Sequence, residues 1–452
     1  MNEFNNLENI MKRFVVASIF ALMLFAPQPI VAQLHPTTIS KNNTKKIDIV
    51  VGNEDARHDS VANPYDVLIE NRPVDYDFAT PHFAIIDKEQ RFYLSLGSTV
   101  KAVGVVDWGN PYGNPSDFKP SDFTPATPGN KELLQMSIKS SSINLNVVGM
   151  PKNKYRIGLF AMLMFNGGNG NDYYVKCDHA YIRCMGLTLG YTSSVYDDKS
   201  ADAYLIDGNG PGASGGHSNM TFNWQRNITP ALRLGAGIEL PRMSYTQWQH
   251  EDAIEYSQMV NQRVPSIPFY VQYAWGEIGH VRLSSVVRTM TYRDFIDNRN
   301  RSLMGYGLKF TSNVKMGNAV GYAMVQGGKG VANYFKDNDG FCLDLVPDAN
   351  HDGQLKRTAS WGGLCALQYN YTPKMFSTAM YGYMRNYADR YEGGTIDFGQ
   401  HMKYEHYAAV NFIWRASSFV DIGIEYNYGM KHSFANESIH NNRITAMFKV
   451  GF

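Results

Sequence analysis

Past about its first thirty residues the chain lacks any stretch approaching the roughly 20 consecutive apolar residues of a membrane-spanning helix, which excludes a helical membrane protein. Cysteine is scarce as well. Four residues in 452, Cys177, Cys184, Cys342 and Cys365, cannot make the dense disulfide framework of a small secreted domain. Cys177 and Cys184 lie seven apart on one expected strand. That spacing puts them on opposite faces about 23 Å apart, at about 3.3 Å per residue, too far to bridge. All four read as small hydrophobes in a packed wall. An excess of either charge is missing too: 42 Lys and Arg face 41 Asp and Glu, so no nucleic-acid partner is expected. No G-x-S-x-G nucleophile motif occurs, and His406, the one histidine on an otherwise apolar face, has no triad partner in sequence. The chain is not expected to be an enzyme.

What is present in quantity is aromatic residues, 13% with 29 Tyr, and 40 Gly. Both suit aromatic girdles and sharply curved sheet. Alternating faces cancel in any average, so a mean hydropathy of −0.32 does not exclude a barrel wall. The last twelve residues, Asn441 to Phe452, carry Ile444, Ala446, Phe448, Val450 and Phe452 on one face and Arg443, Thr445, Met447, Lys449 and Gly451 on the other. A closing strand with an aromatic as its final residue is expected to pair with the first strand and shut the sheet.

At the other end, Met11-Lys12-Arg13 supplies a positive region, Phe14 to Phe25 an apolar one, and Pro27 to Ala32 a small-residue cleavage end. Residues 1–32 are therefore expected to be a cleaved signal peptide, with no Cys at the cleavage point for a lipid anchor. Residues 33–90 are polar and irregular, broken by Pro36, Pro64, Pro73 and Pro81, and read as a periplasmic extension.

From Arg91 onward period-two alternation takes over. Leu232, Leu234, Ala236, Ile238 and Leu240 stand opposite Arg233 and Glu239, and Val281, Leu283, Ser285, Val287 and Thr289 opposite His280, Arg282, Ser284 and Arg288. The apolar faces that phase well carry no Asp, Glu, Lys or Arg, as a bilayer demands, since a midplane charge facing lipid costs about 2–4 kcal/mol. About sixteen such segments fit, separated alternately by tight turns and by long polar loops at 109–132, 195–217, 242–265, 293–301, 328–358, 388–401 and 432–440, with a shorter one at 167–171. The expected fold is all-β: a transmembrane antiparallel up-and-down β-barrel over residues 91–452, with both termini in the periplasm. Strands two, four and thirteen cannot be phased.

The stretch from Ala180 to Ser194, AYIRCMGLTLGYTSS, resembles a hairpin of the DcaP-like outer-membrane porin family, and Phe83-Ala84-Ile85-Ile86 resembles the lead-in to that barrel. The resemblance implies a homotrimer of sixteen-stranded barrels in the Gram-negative outer membrane, passing dicarboxylates and related anions. The coiled-coil amino-terminal segment that occurs in that family has no counterpart here, because residues 33–90 show no heptads.

For a barrel the chemistry lies in the lumen. Its polar faces contribute Arg282, Arg288, Arg233, Arg156, Lys309, Lys101 and Lys449, besides Arg443, against Glu239, Glu405, Asp421 and Glu425. Basic rings favour anions, and guanidinium forks suit carboxylate or phosphate. The expectation is passive diffusion of small polar solutes, anionic ones preferred. The competing reading is a receptor or adhesin with long outer loops and a closed lumen. Asp348, Asn350 and Asp352 have the spacing of a Ca²⁺ loop, but position twelve is Ala359 rather than Glu, so ordinary turn chemistry competes with a Ca²⁺ site. No other cofactor is expected. The glycine-rich run 208–216 lacks the Lys-Ser/Thr ending of a phosphate cradle and reads as a surface loop or one folded into the mouth.

Overall fold

The computed structural model describes residues 64–73, 83–87, 89, 91–167, 173–216, 218–246, 256–348, 350–388 and 401–451, and the backbone of 47–50. The expected signal peptide and the terminal Phe452 lie outside the described residues. The sheet runs in chain order through β1 (Phe92–Trp108), β2 (Glu132–Ser137 and Ser142–Gly149), β3 (Ile157–Met164), β4 (Lys176–Cys184), β5 (Leu187–Ser193), β6 (Ser218–Asn227), β7 (Leu232–Glu239) and β8 (Ser257–Met259 and Ile267–Ala274). It continues through β9 (Gly279–Asp294), β10 (Arg299–Met316), β11 (Ala319–Lys329), β12 (Ala359–Thr372), β13 (Met375–Tyr387), β14 (Met402–Arg415), β15 (Val420–Ser433) and β16 (Ser438–Gly451). Every neighbour pair is antiparallel, and β16 pairs with β1 from Asn442 opposite Trp108 to Gly451 opposite Thr99. The barrel is closed with sixteen strands, as the alternation implies.

Period two places the two faces as expected. Ile444, Phe448, Leu283, Ile424 and Leu308 stand exposed on the outside, while their alternates Arg443, Met447, Arg282, Glu425 and Lys309 are buried inside. Such an exterior satisfies a bilayer, and a closed ladder leaves no backbone group unpaired within it. These two features define a transmembrane barrel of the outer-membrane type.

Three expectations need correction. Two outer connections expected to be long are four-residue turns, 295–298 and 434–437, because β9, β10, β15 and β16 extend past the bilayer before turning. Cys177 and Cys184 share the outward face, opposite Leu163 and Ile157, because the β3–β4 register slips at Met162/Leu163 and inverts the parity. Pro64 does not break structure; it opens a short helix, α1 (Pro64–Glu70), where a first-turn proline has no hydrogen bond to lose.

The core lies inside the barrel. Helix α1 buries Val67 and Leu68 against Tyr93 and Val148 on the inner face of β1 and β2. Just past it, Asn71 donates to Asn146 Oδ1 (2.7 Å) and to the Leu159 carbonyl (3.1 Å), and accepts at its own carbonyl from the Tyr181 hydroxyl (2.6 Å). A side chain at Gly158 would collide with Asn71, so this glycine makes room for the segment. A further strand, Ala84–Asp87, pairs with Tyr93, Leu94 and Ser95, covering the edge of β1 that β16 leaves open below Thr99.

Candidate functional site

Three outer loops fold back into the lumen: the first (109–131), the third (194–216) and the sixth (330–348 and 350–358). Apolar residues anchor them. Phe118 and Phe123 of the first loop pack with Met380 and Tyr407 of β13 and β14. Ile206 of the third meets Val103, Phe376, Ile413 and Met447, and Phe335 of the sixth meets Ala213, Leu364 and Met384. Burying each such side chain contributes about 1.5–3 kcal/mol, so the loops are held by several contacts rather than draped. These inward apolar residues explain why β13 could not be phased: Phe376, Met380 and Met384 face loops, while Tyr381 faces lipid. The break in β2 at 138–141 explains the second failure, and the register slip beside β4 the third.

The charged inner face answers to the same loops. On β9 and β10, Arg282, Arg288 and Lys309 point inward and are buried. Arg282 donates to the Val195 carbonyl, lies 3.7 Å from Asp198 Oδ1 and stacks over the Tyr270 ring at 3.5 Å. Lys309 Nζ reaches Asp197 Oδ1 at 2.5 Å, and Arg288 reaches Asp344 Oδ2 at 3.3 Å. His280 and Thr311 add bonds of 2.7 and 2.5 Å to Asp198 Oδ2. Burial works to raise the Asp198 pKa, yet His280, Arg282 and Ser200 together hold it below the usual carboxylate value. The acids opposing this stripe thus come from the third and sixth loops. Their alternation-free sequence carries no signal of it beyond the adjacent pair Asp197-Asp198.

The remaining candidates divide by depth. Lys101 Nζ donates to the Ile206 carbonyl (2.7 Å), and Lys449 pairs with Asp421 (3.3 Å). Glu239 accepts from the Tyr334 hydroxyl (3.4 Å), and Arg233, less buried, donates to Gln225 Oε1 (3.4 Å). Arg443 grips Asp107 bidentately at 2.7 and 2.8 Å across the β16–β1 seam. Arg156 sits before β3 at the periplasmic rim and pairs with Glu70 of α1. Glu425 accepts from the backbone N–H of Ile206 and Asp207 at 2.6 and 2.8 Å, fixing the third loop to β15. Glu405 lies beside Asp337 of the sixth loop at Gly212, where a Cβ would strike both. Asp337 also accepts from Ser121 N–H (3.2 Å) and Asn209 Nδ2 (2.7 Å), so it joins all three loops to β14.

Asp348 spends its carboxylate within its own turn, on Asn350 N–H (3.1 Å) and His351 Nδ1 (3.0 Å). Among the described residues no three His, Cys, Asp or Glu side chains gather as metal ligands.

A closed sixteen-stranded barrel, apolar outside and charged within, with loops turned into its lumen, has the architecture of the outer-membrane porins. The solved structures it resembles are of that class: the outer membrane channel DcaP of Acinetobacter baumannii (16% identity over 81% of this chain and 99% of that one, TM-score 0.66), the anion-selective porin from Comamonas acidovorans (10%, 80% and 100%, TM-score 0.51), and the trimer form of OmpT of Vibrio cholerae (8%, 80% and 99%, TM-score 0.50). No protein-family model and no curated protein matches the sequence.

Proposed function

We propose that the protein is an outer-membrane porin, embedded in outer-membrane lipid, that passes small polar solutes down their gradient and prefers anions, dicarboxylates among them. The observation that carries the preference is the stripe of Arg282, Arg288 and Lys309, whose acid partners are supplied by loops rather than by neighbouring strands. When those loops move, the wall presents a basic track, and basic rings favour anions. The likeness to a channel and to an anion-selective porin supports the reading, and likeness to a trimer form supports a homotrimer. The test is the reversal potential of the refolded protein in a planar bilayer under a KCl gradient. It is expected to favour Cl⁻, with Arg282→Ala moving it toward zero; a potential favouring K⁺ would sink the anion preference.

One observation favours a second reading. Every strand contributes buried inward residues, as a receptor or adhesin with a closed lumen requires. That reading expects a folded barrel that stays silent in the same bilayer.

A further inference from the structure

Between α1 and two periplasmic turns, β2–β3 and β4–β5, lies a cavity of about 670 Å³. Small-molecule sites span about 300–1,000 Å³. Its charged lining is Lys152, Lys154, Arg156 and Arg183 against a single acid, Glu70. Arg156 takes that acid. Arg183 donates instead to the carbonyls of Glu70 (2.7 Å) and Arg72 (3.5 Å) and lies over the Tyr181 ring. Lys154 Nζ rests 4.8 Å from the Tyr155 ring centroid. Among the described residues no carboxylate pairs with Lys152, Lys154 or Arg183. Among the described residues three positive charges therefore line a concave space without a carboxylate of their own, in a protein whose net charge is +1.

The walls of that space are fixed before any ligand arrives. Helix α1 is pinned by Val67 and Leu68 and by the Asn71 bonds to β2 and β3. A preformed concave site lined by one sign of charge concentrates oppositely charged solutes, and little ordering entropy is left to lose on binding. We propose that this cleft is an anion-binding site at the periplasmic mouth, taking a small molecule with two or more carboxylate or phosphate oxygens. Lys152 and Lys154 meet it from the turn, and Arg183 meets it from the wall. The site goes beyond the channel reading and stands without the lumen stripe.

The test is isothermal titration of the refolded full chain in detergent at low salt, with inorganic phosphate and citrate as separate probes. At least one is expected to saturate, and the pair shows which anion class the cleft takes. The variant K152A/K154A is expected to bind about fivefold more weakly or worse, at about 0.5 kcal/mol for each exposed pair. K152R/K154R keeps the affinity, and K374A, in the exposed β12–β13 turn, leaves it unchanged. Both lysines lie in an exposed turn, and heat-modifiable migration confirms that each variant is folded. Absence of saturable binding by either probe, or binding indifferent to K152A/K154A, overturns the proposal. Loss with Arg282→Ala alone would move the anion into the lumen. A K⁺-favouring reversal potential with the cleft still binding would reject the channel's anion preference and leave the site standing.

Discussion

At the scale of single residues, the seam between the last and first strands depends on one buried ion pair. Arg443 and Asp107 are each almost fully buried and meet bidentately, and Arg443 also donates to the Asp117 carbonyl of the first loop (3.1 Å). Removing one partner of such a pair strands a buried charge and costs about 3–5 kcal/mol, whereas replacing both with apolar groups is nearly neutral. Arg443→Ala is therefore expected to lower the urea midpoint of the refolded protein, followed by tryptophan fluorescence, while Arg443→Met with Asp107→Leu recovers most of the loss. Equal midpoints for the wild type and Arg443→Ala would show that the pair is dispensable. That Arg443, Arg282 and Lys309 face inward was legible from alternation alone. The acids opposing Arg282 and Lys309 were not, because ion pairs between a strand and a distant loop leave no periodic trace.

At the scale of elements, Asp337 is where the first, third and sixth loops converge on β14. Lys119 and Lys336 lie nearby, with Lys336 donating to the Gly208 and Asn209 carbonyls and Lys119 over the Phe341 ring. Burial raises the Asp337 carboxyl above its usual range, partly offset by its hydrogen bond with Glu405. A carboxyl with a raised pKa in the packed state binds its proton more tightly there. It therefore stabilises the packed loops at low pH, and that stabilisation is lost as pH rises from about 4 through the packed-state pKa. Loop packing is expected to loosen with rising pH, read as faster protease cleavage within the sixth loop. Asp337→Asn, neutral at every pH, flattens the dependence; a dependence that persists in that variant would assign it to another group. Strand existence and order were readable from sequence. Loop placement was not, since Phe118, Ile206 and Phe335 sit in segments whose apolar residues follow no period, and the short helix at Pro64 is marked only by a proline that reads equally as a breaker.

At the scale of the whole molecule, closure is what makes sixteen weakly amphipathic segments a stable wall. Phe448, Lys449, Val450 and Gly451 supply the rungs opposite Ala102, Lys101, Val100 and Thr99. Deleting residues 448–452 leaves that stretch of β1 unpaired, and unpaired backbone in hydrocarbon costs several kcal/mol per group. The truncated chain is expected to refold into vesicles without a heat-modifiable species on gels; a normal shift would mean that the Ala84–Asp87 strand or lipid compensates. The strand count, the two faces and the closing strand were all legible, because each follows from period two and from the demands of hydrocarbon. Of the filling of the lumen only the glycine-rich run 208–216 was hinted at, as a loop that folds into the mouth; the rest depends on loop conformations that a bilayer does not constrain.

That filling has a thermodynamic consequence. The first, third and sixth loops pack on the inner wall, so a state in which they lift away from it would exchange the displaced loop volume for water. Opening then takes up water from the bulk, and its equilibrium is tied to water activity. Osmotic stress from a polymer too large to enter the barrel draws that water out and shifts the population toward the packed state, with no polymer bound and no change in voltage or pH.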